Sequence, residues 1–87
     1  MKFTVVWRPT AKNELARIWM NTKNRNQVRL AADKIDSLLK WNPSTIGESR
    51  RESVRILLVP PLAVEYRVQD DDRIVNVVAV WTFKRRK

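Results

Sequence analysis

Between Val54 and Phe83 three runs rich in Val, Ile and Leu, at 54–59, 62–68 and 74–83, are separated only by Pro60-Pro61 and by Gln69-Asp70-Asp71-Asp72-Arg73. Connections this short join antiparallel neighbours, because a parallel return needs a crossover of about a dozen residues or more. The C-terminal third is therefore predicted to be a three-stranded meander. Another strand is predicted at the start of the chain, where Phe3, Val5 and Trp7 alternate with Thr4 and Val6 in β-branched and aromatic residues.

The segment between them has the period of helices. Pro9 suits a first helical turn and Thr10 offers a cap, so a helix is expected over about 9–22 with Ala11, Leu15, Ile18 and Trp19 as its apolar stripe. A second is expected over about 26–41, facing inward through Val28, Ala31, Ala32, Ile35, Leu38 and Leu39. The short polar link at 21–26 makes the pair an antiparallel hairpin. Pro43 ends the second helix, and residues 42–52, with the sole glycine Gly47, are expected to form the longest loop. The expected order is β-α-α-β-β-β, an α+β domain with its helical hairpin packed on one face of a four-stranded, mainly antiparallel twisted sheet.

Eighteen Lys and Arg against nine Asp and Glu in 87 residues give a net charge of +9, which points to a polyanion as partner, with nucleic acid ahead of a membrane surface. The length fits one domain over 1–87, ending in the basic tail Lys84-Arg85-Arg86-Lys87. Neither Cys nor His is present, which excludes disulfides, thiol chemistry, the usual zinc sites and an imidazole base. No metal or cofactor is expected. No stretch approaches the roughly 18 to 20 apolar residues of a membrane span, and MKFTVVW lacks the pattern of a signal peptide, so a cytoplasmic protein is expected.

Chemistry must then come from Lys, Arg, Glu, Asp, Tyr or hydroxyls. Glu65 and Arg67, two apart on one strand, share a face opposite Val64, Tyr66 and Val68; they form either a general base beside a phosphate clamp or a polar pair facing water. A strict two-residue turn at Pro60-Pro61 places Arg55 opposite Tyr66, whereas one extra loop residue places it beside Glu65 and Arg67. Arg50, Arg51 and Arg55 offer a cationic rim, and Lys84, Arg85 and Arg86 offer phosphate contacts or a frayed end. Tyr66 reads as core, Trp81 as a base-stacking ring or a cap on the sheet, and Asp70-Asp71-Asp72 as a solvated hairpin tip.

Several features then coincide: a first strand ending in Trp7-Arg8-Pro9, a helix beginning Pro-Thr-Ala-Lys-Asn-Glu-Leu, the loop Asn42-Pro43 to Gly47-Glu48, and a hairpin from Pro61-Leu62-Ala63-Val64-Glu65-Tyr66-Arg67-Val68 to Val77-Val78-Ala79-Val80-Trp81. Over nearly its whole length the chain resembles the RelE/ParE superfamily of type II toxin-antitoxin toxins. The resemblance implies the fold deduced above and an acidic or partly disordered antitoxin encoded by the neighbouring gene. It also implies one of two actions. RelE-like members cut mRNA at the ribosome without a metal, and inhibition of translation in this way is the first expectation. The alternative is a non-enzymatic protein of the same fold, either a ParE-like inhibitor of DNA gyrase or a degenerate toxin that only binds antitoxin or RNA.

In the RNase branch the ribose 2′-hydroxyl attacks the neighbouring phosphodiester while Lys or Glu takes its proton and Arg side chains hold the added charge. Where that branch carries Arg in the turn this chain has Ala63, the last strand ends Trp81-Thr82-Phe83, and no tyrosine follows Tyr66. Arg55 and Lys84 to Arg86 carry over. The candidate catalytic residues are thus Glu65, Arg67 and Arg55, with Arg50, Arg51, Lys84, Arg85 and Arg86 contacting nucleic acid. Lys12, Arg17, Arg29 and Lys34, on the exposed flanks of the helices, are candidates for holding the antitoxin.

Overall fold

A computed structural model of the chain describes residues 2–51 and 53–83. The basic tail Lys84 to Lys87 lies outside the described residues. Strand β1 (Thr4–Trp7) leads into helices α1 (Pro9–Asn21) and α2 (Arg25–Trp41), which precede strands β2 (Glu48–Arg51), β3 (Val54–Val59), β4 (Leu62–Gln69) and β5 (Ile74–Thr82). The strands form one sheet in the order β1-β5-β4-β3-β2, with β1 parallel to β5 and the other neighbours antiparallel.

The α+β class and the helical hairpin stand as expected, but the sheet has five strands rather than four. The extra one, β2, lies in the segment expected to be loop. Its residues Glu-Ser-Arg-Arg carry no apolar alternation, and what makes it a strand is its pairing with the edge of β3. The start of α1 also differs. Pro9 occupies the first turn, the cap position is Arg8 in an extended conformation, and no side chain caps the helix; Thr10 already lies inside it. At α2 the side chain of Asn24 accepts from the amide of Gln27 at 3.0 Å, an ordinary N-cap.

Alternation in the strands and the 3.6-residue stripes of the helices deliver one core. Ala11, Val28, Ala31, Ile35 and Leu39 from the helices meet Leu57, Val59, Leu62, Val64, Tyr66, Val75, Val77 and Val80 from the sheet. Burying a side chain such as Ile35 or Leu39 contributes about 1.5–3 kcal/mol, and Phe3, Val5 and Trp7 of the first strand region extend the same cluster. Among the described residues the other face of the sheet carries no helix.

One irregularity sets what that open face displays. Along β4 and β5, Tyr66 pairs with Val77 but Glu65 pairs with Ala79, so Val78 is an extra residue, a β-bulge. The bulge lets Val77 and Val80, three apart, both face the helices, and it turns Trp81 to the open side opposite Ala63.

Candidate functional site

Residues directly paired across a ladder share a face. On the open face the register therefore lays out rows that run across the strands. One row carries Val6, Asn76, Arg67, Val54 and Arg51, from β1 through to β2. The next carries Ala79, Glu65, Ile56 and Glu48, and a third carries Trp81, Ala63 and Leu58. The face thus grades from cationic through acidic to apolar. In the apolar row Ala63 is fully buried while its neighbours Leu58 and Trp81 remain 56% and 37% exposed.

Glu65 and Arg67 do share this face, with Glu65 half-buried and Arg67 exposed. Arg55 does not join them. The Pro60-Pro61 turn is the strict two-residue one, Val59 pairs with Leu62, and Arg55 falls opposite Tyr66 on the helix side. Its guanidinium is committed to the loop after α2: Nε donates to the carbonyl of Ile46 at 2.9 Å and an Nη to that of Gly47 at 3.3 Å.

Tyr66, fully buried, completes that anchor. Its hydroxyl lies 2.8 Å from the carbonyl of Pro43 and 2.9 Å from that of Ile46 and donates between them. Burial raises the phenol above its ordinary value of 10.0, and the neighbouring Arg55 guanidinium pulls partly against that rise. A phenol so held keeps its proton and serves the loop rather than an acid–base step. Gly47 is shaped by the same contact: at φ +72° it occupies the left-handed region, and a Cβ there would stand 2.6 Å from the carbonyl oxygen of Ile56 and 3.0 Å from the Tyr66 hydroxyl.

The remaining cations separate into groups. Arg50 pairs with Glu48 at 3.4 Å, whereas Arg51, next along β2, is in no ion pair among the described residues and projects into the cationic row. Beside that row a cavity of about 670 Å³ is lined by Arg8, Arg67, Gln69 and Asn76 with Val6 and Val78. Arg8 is a site residue missing from the sequence-based candidates, although a signal existed: Thr4, Val6 and Arg8 have the parity opposite to Phe3, Val5 and Trp7. Asp70, Asp71 and Asp72 form an exposed turn between β4 and β5, and no cluster with metal-ligand geometry occurs among the described residues.

On the helix side, a groove of about 440 Å³ between α1 and α2 is walled by Leu15, Trp19, Met20, Val28 and Ala32, with Lys12 and the Arg29–Asp33 ion pair, at 3.6 Å, at its rim. Arg25 fixes the Trp19 wall. Its Nε donates to the Trp19 carbonyl at 3.2 Å and its guanidinium lies 4.6 Å from the indole centre. Of the expected helix-flank cations, Lys12 and Arg29 reach this groove. Arg17 pairs with Glu14 at 3.9 Å and lines a different cavity beside Phe83, and Lys34 is exposed without lining either.

A helical hairpin on a sheet of this order, with one open face, defines a RelE/ParE-type toxin fold, and known proteins agree. Residues 5–86 match the family described as the ParE toxin of the type II toxin-antitoxin system parDE. The chain belongs to that family, within the RelE/ParE superfamily of toxins. Among solved structures, a chain of the RelBE2 toxin-antitoxin complex from Mycobacterium tuberculosis superposes with a TM-score of 0.77 at 20% identity, covering 95% of this chain and 93% of that one. A chain of the chromosomal ParDE system from P. aeruginosa gives 0.70 at 15% identity, with 95% and 98% covered. A chain of the intact E. coli RelBE complex gives 0.66 at 16% identity, with 95% and 99% covered. No curated protein matches the chain by sequence.

Proposed function

We propose that this toxin acts by binding its target rather than by cutting RNA, and that the target is DNA gyrase, as the ParE branch of the resemblance implies. The observation that carries this reading is the commitment of Arg55 to the loop carbonyls. In-line attack by a 2′-hydroxyl needs a base, a proton for the leaving oxygen, and cations converging on the phosphate. On the open face Glu65 has Ile56 and Ala79 as its lateral neighbours, and Arg67 is the cation its own strand supplies on that face. A carboxylate with apolar lateral neighbours, and with Arg8, Arg51 and Arg67 on three different strands or their ends, makes a binding surface.

The test is inhibition of gyrase supercoiling by the purified chain, alongside primer extension on a translated message after induction in a bacterial host. Growth arrest with intact messages and inhibited supercoiling is the expected result, and Glu65→Gln should leave both unchanged. A second reading, ribosome-dependent mRNA cleavage, draws on the adjacency of Glu65 and Arg67 on the open face. It requires cuts inside translated codons that disappear in Glu65→Gln.

The antitoxin is assigned to the groove between α1 and α2. Its apolar walls suit the anchors of an amphipathic helix, Lys12 at the rim suits an acidic side chain, and Arg29 can serve another by exchanging its Asp33 partner. With gyrase and an antitoxin as its partners, the proposed place of action is the cytoplasm.

A further inference from the structure

The cavity beside the cationic row has a chemistry that gyrase binding does not explain. Arg8 enters it from the end of β1 and Arg67 from β4, and neither is in an ion pair among the described residues. The same cavity holds an amide pair on the side toward the hairpin tip: Asn76 Nδ2 donates to Gln69 Oε1 at 3.1 Å. That bond fixes the orientation of both amides and leaves the Asn76 oxygen as an acceptor and the Gln69 nitrogen as a donor. Apolar surface comes from Val6, which pairs with Asn76 across the β1–β5 ladder, and from Val78, the extra residue of the bulge. Bulges re-aim side chains beside functional sites, and here one brings Val78 to the cavity wall.

We propose that this cavity binds a nucleotide, with the phosphate held by Arg8 and Arg67 and the base laid on Val6 and Val78 where the Asn76–Gln69 pair can read its edge. Guanidinium groups match phosphate oxygens in charge and planar fork geometry, and an oriented acceptor beside a donor is what discriminates one base edge from another. A volume of about 670 Å³ is ample for one nucleotide. The carboxylates of Asp70 to Asp72 lie beyond Gln69 at the hairpin tip, outside the cavity lining, and favour a phosphate at the arginine end. Arg51, farther along the same cross-strand row, stands two strands from Arg67, about 10 Å away, and would meet a neighbouring phosphate if the nucleotide belongs to a strand.

The test is direct binding to the full-length chain, by calorimetry or fluorescence anisotropy, of adenosine and guanosine monophosphates, inorganic phosphate and an eight-residue oligouridylate. At least one monophosphate should bind at least about tenfold more tightly than phosphate, because the amides and apolar wall add to the arginines. The double variant Arg8→Gln, Arg67→Gln should lose at least about tenfold. Lys2→Gln with Lys23→Gln removes the same charge away from the cavity and should stay within about twofold. Val78→Asp should weaken nucleotide binding with the circular dichroism spectrum unchanged. An octamer that binds no tighter than the monophosphate identifies a free nucleotide as the ligand, and one that gains tenfold or more, in a manner reduced by Arg51→Gln, identifies a strand. Equal losses in the two double variants, or no preference over inorganic phosphate, overturn the proposal. Because the assay contains neither gyrase nor ribosomes, loss of the nucleotide site leaves the gyrase reading standing, and gyrase inhibition is measured separately.

Discussion

Arg55 and Tyr66 donate to one and the same carbonyl oxygen, that of Ile46, each at 2.9 Å. They come from paired positions on β3 and β4, so the sheet register itself aims two side chains at one atom of the loop between α2 and β2. That loop carries the approach to Arg50 and Arg51, and its conformation is dictated from beneath.

Removing either donor leaves the Ile46 oxygen one partner, and removing both leaves it none. Tyr66→Phe should cost about 1–2 kcal/mol, since Pro43 also loses its partner. Combined with Arg55→Met, the loss should exceed the sum of the single changes by at least about 0.5 kcal/mol, read from urea unfolding in a double-mutant cycle. Strict additivity would show that the shared acceptor is not what couples them.

Gly47 faces a positive φ and a crowded Cβ position together. Gly47→Ala should cost about 2–3 kcal/mol in thermal or urea unfolding. Gly47→Asn separates the causes, because Asn tolerates the left-handed region but still places a Cβ against the Ile56 carbonyl. Asn should therefore remain strongly destabilising; a nearly neutral Asn variant would assign the cost to the dihedral alone.

Tyr66 predicts an alkaline limit. Its folded pKa is raised, by burial, above the 10.0 of an exposed phenol. The unfolded chain thus releases this proton first, so the contribution is fully present below pH 10 and is lost as pH rises from there through the folded value. Tyr66 is the only tyrosine, so phenolate absorbance reports this group alone. Its titration should be displaced upward in the folded chain and return to the ordinary value in urea, and Tyr66→Phe should flatten the difference in stability across that window.

The groove between α1 and α2 offers a test of the antitoxin assignment. Lys12→Glu with Arg29→Glu should weaken antitoxin binding at least about tenfold, with the deficit shrinking as salt is added. Met20→Asp, at 68% exposure in the groove wall, should weaken it with little salt dependence and no loss of fold. Supercoiling inhibition by the free toxin should survive both.

Where a side-chain pattern carries the structural decision, it was readable in the chain. The meander, the two helical stripes and the inward place of Tyr66 follow from periodicity, and the parity that put Glu65 and Arg67 on one face is the parity observed. Arg55 hung on a single loop residue, since its face reverses with each step of register, and the two-residue turn decided it. β2 was hidden because backbone pairing alone makes it a strand. The Val78 bulge was hidden because Val77-Val78-Ala79-Val80 is apolar throughout and either register would satisfy propensity. The nucleotide cavity was hidden for the same reason: its residues come from β1, β4 and β5 and meet only once that bulge and the parallel pairing of β1 are in place.

The parallel ladder between β1 and β5 also governs how the molecule comes into being. Thr4 pairs with Ile74 and Trp7 with Val77, so during synthesis β1 must wait for β5, about seventy residues later, before this ladder can form. Such distant pairing is slow to close, and until it closes the cavity has neither its Arg8 nor its Val6 side. A nascent chain therefore carries an exposed helical hairpin well before it carries a finished open face, and a partner that recognises the hairpin could engage the toxin while it is still being made.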